Sequence, residues 1–295
     1  MKVRIAVAPA GGPWSTESYV SLVDALEGRG FDTIWLSDVP LAPAIDPTVG
    51  LAFAAARTRR LKLGANVVPI GRNPMLLAKE LAQIDQLSGG RLLLMIVPGL
   101  GRTAEREALG AMGADRGAYL DEVVPLLRRF WSGEAVQHHS KRFSFSGITV
   151  TPRPVQDPLE LWLGGMGPRA LTRAGRLADG WLGAALTPAE AGAARVRIEQ
   201  AAADAGRAID PEHFGLSVAY ARAEPSPEAL APLAQRRPDA DPMSLLPVGR
   251  DGLRRFLGEL VSEGLSKFVL RPAGPVATID DELDWLAEAV LELQT

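Results

Sequence analysis

The sequence reads as one (β/α)8 TIM barrel over residues 1–295, an α/β fold with an insertion after the fourth βα unit and a proline-rich excursion after the seventh strand. Three observations predict it. Short apolar runs of strand length alternate with longer amphipathic stretches, as they do when a crossover helix joins successive parallel strands. The alternation completes eight cycles, which suits a closed barrel better than an open doubly wound sheet. A length of 295 residues also fits a single barrel, since such domains hold about 250 residues.

Val3 to Pro9 forms the first strand. Glu17 to Gly28 sets Val20, Val23 and Leu26 at helical spacing, and Gly28 and Gly30 stop the helix before Thr33 to Ser37 resumes as strand. The cycle repeats with helix Thr48 to Arg57, strand Leu61 to Pro69, helix Pro74 to Leu87, and strand Arg91 to Val97 after the stop Ser88-Gly89-Gly90. Beyond helix Tyr119 to Trp131, the stretch Ser132 to Pro158 breaks the rhythm with short alternating pieces such as Arg142 to Phe145, and reads as a hairpin-like insertion. Strand Leu159 to Gly164, helix Pro168 to Leu177, strand Gly180 to Ala184, helix Pro188 to Ala205 and strand His213 to Ala221 follow. Glu224 to Gly249 holds six prolines and little periodicity, the mark of a mobile excursion or lid. Helix Leu253 to Glu263, strand Lys267 to Arg271 and helix Asp280 to Leu293 close the count.

Composition narrows the function. A net charge of -3, from 35 acidic and 32 basic residues spread along the chain, leaves no electrostatic footprint for nucleic acid or an anionic membrane. A small-molecule partner is expected instead. The absence of cysteine removes disulfides, thiolate metal sites and cysteine nucleophiles. Residues Met1 to Pro9 carry no signal-peptide pattern, and no uncharged apolar stretch is long enough to span a bilayer, so cytoplasmic residence is the default expectation. A Walker loop, a dinucleotide Gly-x-Gly-x-x-Gly after a strand and a Gly-x-Ser-x-Gly elbow are all missing, which takes the main support from nucleotide-fold and hydrolase readings.

Barrel enzymes place their chemistry at the C-terminal ends of the strands. Four such ends are informative: Trp35-Leu36-Ser37-Asp38-Val39-Pro40, Asn66-Val67-Val68-Pro69, Val97-Pro98-Gly99-Leu100-Gly101 and Gly164-Gly165-Met166-Gly167-Pro168. In the last, a glycine-rich strand-to-helix turn offers backbone N–H groups at a helix N-terminus, where phosphate is favoured, and Pro168 at the first turn wastes no donor. Gly164, Gly165, Met166 and Gly167 are therefore candidate cofactor-binding residues, with Arg169 and Arg173, one turn apart on the helix, as candidates for an anionic tail. The alternative is a tight turn with solvated arginines. Pro98 and Gly99 are candidates because a residue without a side chain lets a ring or phosphodiester approach the strand end. Asp38 is the most conspicuous carboxylate, held at the barrel mouth either to meet a cofactor or to cap a loop. His138 and His139 alternate on the insertion and point opposite ways, so no shared metal is expected, and His213 reads as a surface or capping residue. Trp14, in a Gly-Pro-rich loop, is placed to line the pocket, whereas Trp35, Trp131, Trp162 and Trp181 fall in core elements.

Taken in order, Gly30-Phe31-Asp32-Thr33-Ile34-Trp35 before an aspartate, Leu76-Leu77-Ala78-Lys79-Glu80-Leu81, Leu87-Ser88-Gly89-Gly90-Arg91-Leu92, Leu161-Trp162-Leu163-Gly164-Gly165 and Ala178-Asp179-Gly180-Trp181 resemble the luciferase-like monooxygenase superfamily. Within it the closest likeness is to oxidoreductases that use coenzyme F420. The likeness runs from Val3 to Ala184 and fades in the C-terminal third. It implies hydride transfer between F420 and a small organic substrate, with two rival readings: an FMN-dependent two-component monooxygenase, or a flavin- or deazaflavin-binding protein without turnover. It also implies a homodimer and a bulge in the third strand, sometimes with a cis non-prolyl peptide, that brings Asn66 and Val67 to the cofactor ring. Many deazaflavin-dependent relatives have His after the aspartate; here it is Val39. Asp38 is the candidate catalytic residue, either as acid or base or by positioning the cofactor, and it has no histidine relay.

Overall fold

The computed structural model describes residues 1–9, 12–99, 102–113 and 115–295; the strand-end positions Leu100 and Gly101 lie outside the described residues. The chain runs β1 (Arg4–Val7), α1 (Thr16–Arg29), β2 (Thr33–Ser37), α2 (Pro47–Arg57), β3 (Lys62–Val67), α3 (Pro74–Ser88), β4 (Leu92–Ile96), α4 (Thr103–Ala108) and α5 (Arg116–Ser132). It continues through β5 (Val136–His139), β6 (Ser144–Ile148), β7 (Leu161–Leu163), α6 (Pro168–Leu177), β8 (Gly180–Ala184), α7 (Pro188–Asp204) and β9 (Phe214–Tyr220). The last elements are α8 (Pro227–Arg236), α9 (Gly249–Ser262), β10 (Lys267–Pro272) and α10 (Ile279–Val290). Eight parallel strands close in the order β1-β10-β9-β8-β7-β4-β3-β2, and β5 pairs antiparallel with β6 as the hairpin insertion. This is the (β/α)8 barrel that the alternation of the sequence predicts.

Side-chain chemistry sets the ends of the elements. Ser15 and Ser18 cap α1 reciprocally, Asp46 and Asn73 accept backbone N–H groups at the starts of α2 and α3, and Gly30 and Gly89 end α1 and α3 in the left-handed conformation. Inside the barrel, bulk on one strand is matched by its absence on the next. A β-carbon on Gly64 would lie 2.1 Å from the Trp35 ring, and one on Gly180 2.4 Å from Trp162. The two indoles therefore fill the barrel axis, together with Ala6, Met95, Leu182 and Val269. The helices bury their apolar faces against the outward side chains of the strands, which form the larger core. Among the described residues no helix is long and apolar enough to cross a membrane.

The proline-rich excursion departs from expectation. It contains α8, whose N-cap is Ser226, and ends in a parallel bridge between Ala221 and Val248 that ties it to the end of β9. Arg237 pins it: its guanidinium donates to Ala185 O at 2.7 Å, Glu190 Oε1 at 2.7 Å and Asp239 Oδ1 at 2.9 Å. Within the excursion Pro227–Arg236 is a helix that composition does not suggest, and Leu233 is the one side chain that α8 buries. One buried position gives a periodicity count nothing to find.

Candidate active site

The four predicted strand ends lie together at the C-terminal mouth, after the adjacent parallel strands β2, β3, β4 and β7. Asp38, just past β2, is buried, and its Oδ2 accepts from Val68 N at 3.1 Å and from Arg72 Nη2 at 3.0 Å. Arg72 also reaches Asp46, the cap of α2, at 3.3 Å. Burial works to lower the Arg72 pKa, but the two carboxylates outweigh it and raise it. Asp38 thus fixes the exit of β3 to the end of β2, with Arg72 as the cationic link. Arg72 was not among the residues singled out from sequence, and its 34-residue separation from Asp38 leaves no local signal.

Asn66 faces the barrel axis. Its Oδ1 accepts from Trp35 Nε1 at 3.0 Å and its Nδ2 donates to Ser37 Oγ at 3.0 Å, so the amide is oriented by its neighbours on β2. Val67 does not join it. Strand alternation turns Val67 outward into the fully buried shell core, leaving only its backbone near the mouth. The expected third-strand bulge is also absent: β3 pairs with β4 in unbroken register through Val67, and the cis bonds among the described residues are the X-Pro bonds Thr151-Pro152 and Asp157-Pro158. The ladder already satisfies β3, and Asp38 takes the first N–H beyond it.

Pro98 and Gly99 continue β4 into the mouth. Gly99 has φ +85°, and its would-be β-carbon lies 3.3 Å from Val68. Arg116, at the first position of α5, donates to the Gly99 carbonyl at 3.2 Å, a second cation at the mouth that sequence reading missed. After β7, Gly164 leaves room for Met95, whose Cε a β-carbon would meet at 2.1 Å. Gly165 has φ +111°, and its carbonyl accepts from the buried Trp181 indole at 3.0 Å, which fixes the loop. Met166 is half-buried against the core, and Gly167 is the N-cap of α6 with no side chain bonded to the helix's first N–H groups. Arg169 is exposed beside that helix start and has no bonded partner among the described residues. Arg173 is committed elsewhere, bonding Asp121 at 2.7 and 3.2 Å.

No histidine stands at the mouth. His138 meets Glu122 at 2.9 Å and His139 meets Ser144 at 2.8 Å on the hairpin, while His213 lies at the opposite end of the barrel against Trp162. Among the described residues no cluster of His, Asp and Glu could hold a metal. A cavity of about 600 Å³ opens beside the ends of β1 and β10, with Trp14 in its wall. A more enclosed one of about 280 Å³ lies beneath Trp35 and Trp162, rimmed by Arg4, Asp32, Lys62 and Lys267. It sits at the N-terminal end, away from the converging loops, and we place the site at the C-terminal face, where strand-end side chains and glycine turns meet.

The luciferase-like monooxygenase family profile matches residues 3–248, and the chain belongs to this family. Among its relatives, 5,10-methylenetetrahydromethanopterin reductase of Archaeoglobus fulgidus is 31% identical over 211 residues, covering 71% of this chain and 61% of that protein. The F420-dependent glucose-6-phosphate dehydrogenase of Nakamurella multipartita is 30% identical over 193 residues, covering 61% of this chain and 56% of that protein. The matched segments thus span between half and two thirds of these relatives. In structure, an F420-dependent secondary alcohol dehydrogenase in complex with an F420-acetone adduct superposes with a TM-score of 0.84 at 18% identity over the full length of both chains. Monooxygenase RslO1 from Streptomyces bottropensis gives 0.79 at 24% identity, covering 98% of this chain and 99% of that one. At these identities the structural likenesses speak to the fold.

Proposed function

We propose that residues 1–295 form one cytoplasmic barrel enzyme, an oxidoreductase that moves a hydride between coenzyme F420 and a small organic substrate. The observation that carries it is the start of α6: an N-terminus with no side-chain cap, preceded by Gly165 at φ +111° and flanked by the exposed Arg169, which has no bonded partner among the described residues. That arrangement suits the phosphodiester and acidic tail of a deazaflavin. Relatives named for F420 dependence support the same choice.

When bound, F420 supplies the hydride carrier at its C5 carbon. The chain's own residues bind and orient. Gly99 and Gly165 allow close approach of a ligand, Asn66 presents an amide fixed by Trp35 and Ser37, and Asp38 with Arg72 holds the β2 and β3 ends in place. With no histidine in this set, the proton that accompanies hydride transfer comes from water or from the substrate's own group. The test is a side-by-side titration of purified protein with F420 and FMN. F420 is expected to bind at least tenfold more tightly, and FMN binding as well as F420 would favour the flavin monooxygenase reading.

We also propose a homodimer through α2 and α3, where Val49, Phe53 and Leu76 leave apolar side chains exposed on adjacent helices. Phe53→Glu is expected to convert a dimer to a monomer by light scattering after size exclusion. A monomeric wild type at micromolar concentration would rule the dimer out.

A further inference from the structure

A third cavity, of about 400 Å³, opens over the C-terminal ends of β8, β9 and β10. Its floor is made of small inward residues, Ala184, Ser217 and Ala219, and its walls include Leu186 and Phe256. Three arginines line it: Arg102, which is paired with Glu105 at 3.8 Å, and Arg236 and Arg271, which are not so paired among the described residues. Strand alternation along β10 sends Phe268 and Leu270 to the outer core and Val269 to the barrel axis, so Arg271 points inward beside Ala219, its register partner on β9. Arg236, the last residue of α8, comes in from above.

We propose that Arg236 and Arg271 form an anion subsite for the substrate, gripping a carboxylate or phosphate at one end of a molecule whose apolar body lies along this cavity toward the cofactor. The inference rests on the proposed hydride-transfer function for its role, though not for its existence.

Neither guanidinium has a hydrogen-bond acceptor or carboxylate partner among the described residues, although both remain open to solvent. Arg237, the neighbour of Arg236, shows what this fold does with an arginine that serves structure. It is buried and bonded to Glu190, Asp239 and the Ala185 carbonyl, and those bonds hold the end of α8 where Arg236 overhangs the mouth. Burial lowers the pKa of Arg236, and burial together with the Arg236 charge lowers that of Arg271. Two like charges facing one cavity repel each other and contribute nothing to the fold alone. A bound oxyanion relieves both the repulsion and the unused donors, with the planar fork of each guanidinium matched to carboxylate or phosphate. The acidic tail of the cofactor is the other possible source of such an anion. The position argues against it, because the open helix start and Arg169 lie beyond β7, while this pair lies over β9 and β10.

The probes are phenyl phosphate and benzoate, titrated calorimetrically into the full-length protein with phenol as the neutral control. Wild type is expected to bind at least one anion ten times more tightly than phenol. Arg236→Gln and Arg271→Gln should each weaken that binding about tenfold or more, the size of a lost charge-assisted bond, and leave F420 affinity within about twofold. Arg271→Lys, which keeps the charge and loses the fork, should fall between. Thermal unfolding confirms that each variant folds. Equal binding of the anions and phenol, or unchanged anion affinity in folded variants, overturns the subsite. A larger loss of F420 affinity than of anion affinity assigns the pair to the cofactor and overturns it too. Arginine-dependent anion binding by a protein that ignores F420 would sustain the subsite and remove the proposed cofactor.

Discussion

A Gly165→Glu protein is expected to lose F420 affinity by about a hundredfold or more, roughly 2.7 kcal/mol, while keeping its barrel. Two effects act together. At φ +111° a side chain is strained, and a β-carbon would sit 2.7 Å from that of Ala170, so the loop must move away from its Trp181 anchor. A carboxylate also arrives at the helix start proposed to meet phosphate, where it repels the ligand and takes its place on the free N–H groups. The fold tolerates this because strain of this kind costs about 1–3 kcal/mol, and an acidic residue at a helix N-terminus returns about 0.3–1 kcal/mol. Gly167→Ala is the control: its φ of -71° suits any residue and nothing lies within 4 Å of the added carbon, so binding should stay within about twofold. F420 titration alongside thermal unfolding reads both. Affinity within tenfold of wild type in a folded Gly165→Glu protein would remove the glycine loop from the cofactor site.

The physics that made parts of the fold legible in sequence is local. Pro168–Leu177 and Gly180–Ala184 are bounded by their own proline, glycine and aspartate punctuation, and structure and sequence agree on them to the residue. The hairpin likewise carries its signal in alternation over a few positions. Helix α8 is held instead by Arg237 reaching back to Glu190 and Ala185, 47 and 52 residues away, and no window along the chain contains both ends of those bonds. Val67 is a different case, since the information was present. Period-two alternation makes Asn66 and Val67 face opposite sides, so of the pair only Asn66 turns its side chain to the barrel axis, and Val67 offers a ligand its backbone. Around Asp38 the sequence offers the carboxylate and withholds its partner, because Arg72 comes to it through the pairing of β2 with β3. The role of an ionisable group is set by such partners, and this is where reading by motif stops.

For Asp38 the geometry supports positioning, and Asp38→Asn is expected to change binding more than chemistry. The amide can still accept from Val68 N, but it carries no charge for Arg72, which then leans on Asp46 alone. Because Asp38 is buried, weakening its bonds should cost about 1–3 kcal/mol of stability. F420 affinity should fall about tenfold as the β2 and β3 ends loosen, while kcat with an accepted substrate at saturating cofactor stays within about tenfold. The pH profile of turnover should keep its shape, since a group that only holds backbone and arginine contributes no ionisation to the reaction. Arg72→Gln should reproduce the binding defect, and the double variant should be less than additive, with a coupling of about 0.5–3 kcal/mol, because both changes break one contact. A general acid behaves differently: its loss removes an ionisation from the profile and costs about a hundredfold or more in rate, and Arg72→Gln would not copy it. That result would make Asp38 catalytic and give this barrel the proton donor that Val39 does not supply.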